Sequence, residues 1–196
     1  IAEAIARFEG AGVVEDDLPL AVRRSLRVAL VRRIFSDEFA FLTVAKDHVR
    51  VSDFYDIFRH MIHPPQSHGK LGGKGTGLFL ASQVLQKSAP QAEVLGKIRV
   101  PRTWYLTSDA LLYFMHYNNL EDLYDRKYLE IERIRQEYPH VVQVFKNSRF
   151  PPDLVNGLAV VLDEFEDRPL IVRSSSLLVV RFGSGFSVKY KSLFLA

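Results

Sequence analysis

The sequence predicts an α+β fold that is mostly helical. Helical apolar periodicity fills the first 62 residues and returns in four later segments, at about 75–88, 109–119, 121–138 and 153–165. Two short segments, 97–107 and 168–176, have the character of extended chain. Hydrophobic residues make up 47% of the chain and include 14 Phe, so a sizeable core can form.

The first 62 residues, which we call the N-terminal helical section, are predicted to form helices. In the first helix, apolar residues alternate with arginines, and Asp17 is expected to be the cap, with Pro19 in the first turn. Ser36 and Ser52 are expected to open the two helices that follow. Nothing in this section indicates a function by itself.

Five arginines lie in the first helix, at positions 23, 24, 27, 32 and 33. They could bind an anion, but charge runs on helices usually face solvent, which is the interpretation we favour. The net charge of +3 suits a phosphate-bearing ligand and is too small to argue for nucleic acid alone. A non-catalytic module that binds RNA or another acidic partner is the alternative function. It would gather Arg23, Arg27, Arg32 and Lys70 on one face.

The later elements are bounded by prolines and a serine. A double proline at 64–65 ends the helical section, and a second at 151–152 opens a helix. Ser108 is expected to cap the helix that follows it. The apolar strand "PLIVR" is expected to be mostly buried and to place Arg173 at its end.

The stretch "SHGKLGGKGTGLFLA", residues 67–81, combines five glycines with two lysines ahead of a helix. A glycine cluster is needed where the backbone adopts a positive φ or approaches another group closely. Helix N-termini present unpaired amides to anions, and Lys74 can add a point charge for a polyphosphate. The stretch therefore predicts a phosphate site, or else an ordinary loop that leads into a helix.

Neither common nucleotide motif fits this stretch. A P-loop needs glycine where His68 stands, and Ser or Thr where Gly75 stands. A dinucleotide-binding fingerprint needs glycine where Leu78 stands, and it should follow a strand.

A second polar cluster follows the apolar strand. Arg173 is followed by three serines, at 174, 175 and 176. An Arg at a strand end offers a bidentate fork for phosphate. The alternative is an ion pair with the preceding acidic run (Asp163, Glu164, Glu166 and Asp167), which is itself expected to face solvent.

Other residue patterns limit the possible chemistry. The absence of cysteine excludes disulfides, thiolate catalysis and Cys-based zinc sites. His60, His63 and His68 have a spacing that could suit a metal, but surface or packing roles are favoured and no metal ligand is assigned. Trp104 and Tyr105 could stack on a base, and core packing is favoured for them. No apolar run is long enough to span a bilayer, so we expect a cytoplasmic protein, and both ends suggest a fragment of a longer chain.

Three segments in this order resemble one family: "LGGKGTGLFLA", "IRVPRTWYLTSDALLYF" and "RPLIVRSSSLL" with the later "FGSGFSVKYKSLFLA". They are similar to the N-terminal nucleotide-binding region of phosphoenolpyruvate synthase and pyruvate phosphate dikinase. That family has a Gly-Gly-Lys-Gly-x-Gly-Leu loop, then a Val-Pro segment ending in Thr, then a Val-Arg-Ser-Ser strand end. The resemblance covers about residues 66–196, and the N-terminal helical section lies outside it.

The resemblance implies that residues 63–196 are the first part of an ATP-grasp type nucleotide-binding domain. Such enzymes use ATP and Mg²⁺ and pass phosphate to a histidine on a separate domain of the same chain. That histidine then phosphorylates pyruvate or a related acceptor, and in variants an antibiotic or a glucan. No membrane partner is implied, and nucleic acid is not an expected partner.

The resemblance also assigns residue roles. Lys74 would neutralise the ATP phosphates, beside the amides of a glycine cradle, and Arg173 would be catalytic, stabilising the transferred phosphoryl group. The further nucleotide-binding positions are Gly72, Gly73, Gly75, Ser174, Ser187 and Lys189, the last two in a loop that would close over the phosphates. The chain departs from the family at Val179 and Val180, where an acidic pair is usual, and at Val188, where glycine is usual.

Overall fold

A computed structural model of the chain describes residues 10, 14–87, 97–166, 168–175 and 192–195. In these segments the helices are α1 (Leu20–Ile34), α2 (Phe39–His48), α3 (Val51–Arg59), α4 (Gly73–Gln86), α5 (Ala110–Tyr117), α6 (Ile131–Asn147) and α7 (Pro152–Phe165). The strands are β1 (Met61–Ile62), β2 (Tyr105–Leu106), β3 (Leu170–Arg173) and β4 (Ser192–Leu195), and short 3-10 helices cover Glu15–Asp17 and Glu121–Tyr128. The α+β prediction is confirmed.

The main core lies where the N-terminal helical section meets α4. Phe35, fully buried just after α1, stacks on Phe54 of α3 with ring centroids 5.3 Å apart. It also contacts Phe79 of α4 at 5.2 Å and the edge of Phe41 of α2 at 6.1 Å. Four helices are thus joined through one aromatic cluster, so the helix after the glycine stretch is held by the N-terminal helical section. The division of the chain at residues 62 and 63 stays a prediction.

The first helix begins later than its expected cap. Asp17 lies in a 3-10 helix, where its N–H donates to the carbonyl of Val14 at 3.0 Å. Pro19 occupies the N-cap position in extended conformation, and its carbonyl accepts from the N–H of Arg23. The prediction of Asp17 as the cap was wrong because the acidic turn before the helix folds upon itself.

The serines expected to open α2 and α3 are also not their caps. The Ser36 hydroxyl accepts the N–H of Glu38 at 3.1 Å, but Glu38 is the N-cap of α2. Ser52 lies within the first turn of α3. There the Asp53 carboxylate accepts the N–H of the N-cap residue Arg50 at 2.7 Å, so an acid in the first turn does what Ser52 was predicted to do.

The two parallel strands β1 and β2 pair Met61 with Tyr105 and Ile62 with Leu106. The sequence predicted extended chain around Tyr105 but treated residues 61 and 62 as helix. Helix α7 lies against β1 so closely that a Cβ at Gly157 would be 2.7 Å from Ile62. The pairing brings the end of the helical section beside the segment that precedes α5.

Two later elements differ from their predicted forms. The helix predicted over 121–138 is a 3-10 helix followed by α6, and α6 continues through Pro139. Strand β3 forms as predicted and pairs antiparallel with β4. Its expected burial was wrong, since Ile171 is 57% exposed and Val172 is 51% exposed.

Candidate nucleotide site

The glycine loop, residues 69–75, is anchored at its centre by Leu71. That side chain is 1% exposed in the main core, and its N–H donates to the carbonyl of Ile34 at 2.8 Å. Helix α4 then begins at Gly73 with Gly72 as its N-cap, two residues earlier than the sequence predicted. The first-turn amide of Gly73 has no acceptor within the helix, as at any helix start.

The end of β3 lies directly against the glycine loop. The Gly75 N–H donates to the Ser175 hydroxyl at 3.1 Å, a contact between residues 100 positions apart. A Cβ at Gly72 would overlap the Ser175 carbonyl. Neither glycine has a left-handed φ, so close approach is what requires glycine here. The two polar clusters found in the sequence therefore meet in space.

This contact brings together the two chain segments that carry the predicted cationic residues. Lys74 adjoins Gly75, and Arg173 precedes Ser175 by two residues, which is roughly 7 Å of extended chain. The Arg173 side chain is exposed and, within the described residues, forms no ion pair with the acidic run. Glu164 instead accepts from Trp104 Nε1 at 2.9 Å and pairs with Arg102 at 2.7 Å, so its expected exposure to solvent was wrong.

The Ser174 hydroxyl is an unsatisfied polar group at this junction. Its Oγ is buried and has no hydrogen-bond partner among the residues that the structure describes. Because buried hydroxyls are normally paired, an orphaned one next to Arg173 is suited to a ligand that brings its own acceptor. The predicted nucleotide-binding role of Ser174 is compatible with this position.

Asp109 organises the start of the glycine loop, and sequence reasoning missed it. Its carboxylate accepts the N–H groups of His68 and Gly69, each at 2.9 Å, and the hydroxyls of Ser67 at 2.8 Å and Thr107 at 2.7 Å. Partial burial raises the pKa of this carboxyl, but the four hydrogen bonds outweigh burial and hold the pKa below its ordinary value of 3.8.

The expected helix cap, Ser108, is used elsewhere. Its hydroxyl accepts the Lys70 N–H at 3.1 Å, and its own N–H donates to the Lys70 carbonyl at 2.9 Å. Asp109 occupies the N-cap position of α5 without a side-chain cap bond. The capping prediction for Ser108 was wrong because both residues bind the glycine loop. The sequence signal that could have identified this role is the pair of adjacent capping-type residues, Ser108 and Asp109, before α5.

Four of the five arginines of α1 form ion pairs or hydrogen bonds within the chain. Arg33 donates to the carbonyls of Ser67, His68 and Gly69 at 3.0, 3.1 and 3.4 Å. The four cations that an RNA-binding face would need are each paired with a carboxylate: Arg23 with Asp16, Arg27 with Glu15, and both Arg32 and Lys70 with Asp37. The prediction that the arginines face solvent is therefore wrong for Arg27 and Arg33, while Arg24 is exposed as expected.

The comparison with protein families decides what this arrangement belongs to. The family described as the AMP/ATP-binding domain of pyruvate phosphate dikinase matches residues 68–195. The chain belongs to this family. Comparisons with curated proteins and with solved structures gave no match.

The dikinase match begins at His68, so it contains the glycine loop, Asp109 and β3. It leaves out α1, α2 and α3, in agreement with the extent of the resemblance. The chain therefore carries a dikinase-type ATP-binding module. Arg33, outside the matched region, contacts that module at the carbonyls of His68 and Gly69.

Two histidines just before the ATP-binding module contact nearby backbone carbonyls, and two aromatic residues within the module pack on apolar clusters. His60 Nδ1 contacts the Asp56 carbonyl at 2.8 Å, and its ring lies edge-on to Trp104. His63 Nδ1 contacts the Pro64 carbonyl at 2.9 Å. Trp104 packs on the cluster around Ile62, and Tyr105 packs on the main core, which confirms core packing for both aromatic residues.

Several predicted features of the dikinase family lie outside the described residues. These are the closing-loop positions Ser187 and Lys189, the three departures Val179, Val180 and Val188, and Asp167 of the acidic run. Across the described part of the chain, no helix is both long and apolar enough to cross a membrane.

Proposed function

We propose that this chain is the nucleotide-binding part of a phosphotransferase similar to phosphoenolpyruvate synthase. It would pass phosphate from ATP to a histidine on another domain, and from there to pyruvate or a related acceptor. The observation that carries the proposal is the contact of Ser175 with Gly72 and Gly75. It joins the two clusters that phosphate binding needs, despite their separation in sequence.

Each cluster supplies a different part of the chemistry. ATP, when bound, supplies the phosphoryl group that is transferred. Lys74 neutralises the phosphates, beside the backbone amides of Gly72 and Gly73 at the start of α4. Arg173 stabilises the charge that develops on the transferred group, since phosphoryl transfer depends mostly on positioning and electrostatics. Ser174 donates its buried hydroxyl to the nucleotide.

The structure modifies one role in this assignment. The Gly75 N–H already donates to the Ser175 hydroxyl, so Gly75 serves the site by joining the two clusters. Its contact with Tyr105, where a Cβ would lie 3.1 Å from the ring, gives a second reason for glycine. Ser187 and Lys189 keep their proposed role in loop closure.

The proposal includes an ATP-grasp architecture and Mg²⁺ that is bound together with ATP. The described residues contain no group of three or more His, Asp or Glu side chains that could hold a metal. No residue among them is therefore assigned as a Mg²⁺ ligand. A cytoplasmic location is part of the same proposal, as is an acceptor other than pyruvate, an antibiotic or a glucan, in a variant of this reaction.

Calorimetric titration of the full-length protein with ATP–Mg tests the proposal. Lys74→Ala should weaken binding at least about tenfold, or ~1.4 kcal/mol. Lys87→Ala is the matched control at the other end of α4, where Lys87 pairs with Asp53 and should not affect the nucleotide. Equal affinity in wild type and Lys74→Ala would contradict the proposed site.

A second measurement tests the role of Arg173. With radiolabelled ATP, Arg173→Ala should keep most of the ATP affinity and lose about 10²–10³-fold in the rate of histidine phosphorylation, the range for losing a group that stabilises transition-state charge. An unchanged rate would remove Arg173 from the catalytic assignment. Pyruvate and the other acceptors can then be compared in the same assay.

A further inference from the structure

The pre-loop segment, residues 67–69, is bound from two sides by groups of opposite charge. On one side the Arg33 guanidinium donates to three successive carbonyls, those of Ser67, His68 and Gly69. A guanidinium presents several donors in a fixed planar fork, whereas a lysine ammonium is a single point charge. One arginine side chain thus fixes the orientation of three peptide groups.

On the other side Asp109 accepts from the N–H groups of the same segment. It takes the N–H of His68 and of Gly69, each at 2.9 Å, and the Ser67 hydroxyl at 2.8 Å. A Cβ at Gly69 would overlap the Asp109 carboxylate, so the segment lies directly against the carboxyl group. The carbonyls face a cation and the amides face an anion, which fixes the segment in one conformation.

The end of α1 and the turn before α5 also hold the next two residues of the glycine loop. Lys70 exchanges hydrogen bonds with Ser108, beside Asp109, and Leu71 donates to Ile34, beside Arg33. Every residue from 67 to 71 is therefore tied to the end of α1 or to the turn before α5. The end of α1 is itself rigid, because Ile34 is 4% exposed and the adjoining Phe35 is fully buried.

We propose that Arg33 and Asp109 form a clamp that positions the glycine loop for the nucleotide, so that the N-terminal helical section sets ATP affinity. This inference rests on the proposed function, and it gives a role to a section that lies outside the family match. A loop already held in its binding conformation loses less conformational entropy when it binds a ligand. Arg33 is a positioning residue here, since its guanidinium acts on the site through the backbone carbonyls of the pre-loop segment.

Titration of the full-length protein with ATP–Mg is the first test. Arg33→Ala should raise the Kd about five- to tenfold, and Arg33→Lys should give an intermediate value because an ammonium reaches fewer of the three carbonyls. Arg32→Ala is the matched control, since Arg32 contacts only the exposed Asp37 among the described residues. Wild-type affinity in Arg33→Ala overturns the proposal, and so does a loss in Arg33→Ala fully matched by Arg32→Ala.

Hydrogen exchange without nucleotide is the second test, and it does not depend on the proposed function. The amides of His68 and Gly69 should exchange at least about tenfold faster in Asp109→Ala, with Asp109→Asn intermediate, because an amide oxygen can replace only part of the carboxylate. The Leu71 amide should exchange faster in Arg33→Ala than in Arg32→Ala. Unchanged exchange in both Asp109→Ala and Arg33→Ala overturns the clamp, whether or not the protein binds ATP.

The two tests can give separate answers. If amide exchange is faster in the variants than in wild type, but wild type does not bind ATP, the clamp is kept and the proposed function is refuted. Thermal unfolding of each variant separates a local effect from a global one. The clamp requires the Kd of Arg33→Ala to rise under conditions in which at least nine-tenths of the protein is folded. If ATP affinity returns to the wild-type value once the folded fraction is corrected for, the clamp is overturned.

Discussion

The carbonyl of Ser175 lies so close to Gly72 that no side chain fits at position 72. This contact, together with the bond from Gly75 to the Ser175 hydroxyl, holds the end of β3 against the start of α4. Both segments must therefore keep their present distance for Lys74 and Arg173 to act on one ligand. The substitutions below test this relationship and its surroundings.

Gly72→Ala should separate the two clusters. The new methyl group would displace the end of β3, so we expect ATP affinity to fall more than tenfold, with an overpacking cost of about 1–3 kcal/mol in the free energy of unfolding. Gly77→Ala is the control in the same helix, because a Cβ there meets nothing within 4 Å. It should stabilise the protein by roughly 0.5–1 kcal/mol and leave ATP binding unchanged. Equal ATP binding in Gly72→Ala and wild type would show that the contact is not needed.

Ser174 and Ser175 should respond in opposite ways to loss of their hydroxyls. Within the described part of the chain the Ser174 hydroxyl is buried without a partner. Ser174→Ala should therefore not lower the free energy of unfolding and should weaken ATP binding. Ser175→Ala removes the acceptor for Gly75 and should cost about 0.5–1.5 kcal/mol of stability. Urea unfolding and titration of both variants make the comparison. A stability loss in Ser174→Ala as large as that in Ser175→Ala would rule out an unsatisfied hydroxyl at 174.

Asp109 should make stability depend on pH in the acid range. Because its pKa is lower in the folded chain than the ordinary value of 3.8, its stabilising effect is fully present above that value and is lost as pH falls through the folded-state pKa. Asp109→Asn should therefore be less stable than wild type at pH 7. The difference should shrink only below about pH 3.8.

Urea unfolding at pH 7, 5, 3 and 2 measures this dependence for wild type and Asp109→Asn. Asp163→Asn serves as the control at an exposed position and should change stability by less than about 0.5 kcal/mol at each pH. A difference between Asp109→Asn and wild type that stays constant down to pH 2 would mean that the carboxylate charge is not what holds the pre-loop segment.

The sequence contained enough pattern to predict the helices, strand β3 and the two polar clusters. Glycine content, apolar periodicity and the order of three motifs are local features, so they can be found without a structure. Their resemblance to one family also led to the expectation that Lys74 and Arg173 act together. The contact through Ser175 required coordinates, since it joins residues 100 positions apart.

Arg33 and Asp109 could not be predicted for a physical reason. Arg33 binds backbone carbonyls 34 to 36 positions away, and Asp109 accepts backbone N–H groups 40 and 41 positions away. Every residue has a backbone carbonyl, so a bond to one leaves no residue pattern at the partner position. The predictions of the helix caps were wrong for a related reason. Ser108 binds the backbone of a distant loop, and Asp53 takes the local role expected of Ser52.

Both the stability of the N-terminal helical section and the conformation of the glycine loop should depend strongly on Phe35. It is fully buried and contacts aromatic rings from α2, α3 and α4. Phe35→Ala should lower the free energy of unfolding by about 3–5 kcal/mol, the usual cost of removing a buried Phe. Because Phe35 adjoins Ile34, whose carbonyl holds Leu71, the cavity should also loosen the glycine loop and weaken ATP binding in the fraction that remains folded.

Chemical unfolding and ATP titration of Phe35→Leu and Phe35→Ala separate the two effects. Phe35→Leu keeps most of the volume and should lie between Phe35→Ala and wild type in both measurements. Phe39→Ala is the matched control at the start of α2, since Phe39 is 82% exposed, and should change stability by less than about 0.5 kcal/mol. If Phe35→Ala lost no more stability than Phe39→Ala, the aromatic cluster could not be what joins the helical section to α4. The dependence of the glycine loop on that section would then have to arise from the polar contacts of Arg33, Ile34 and Asp37.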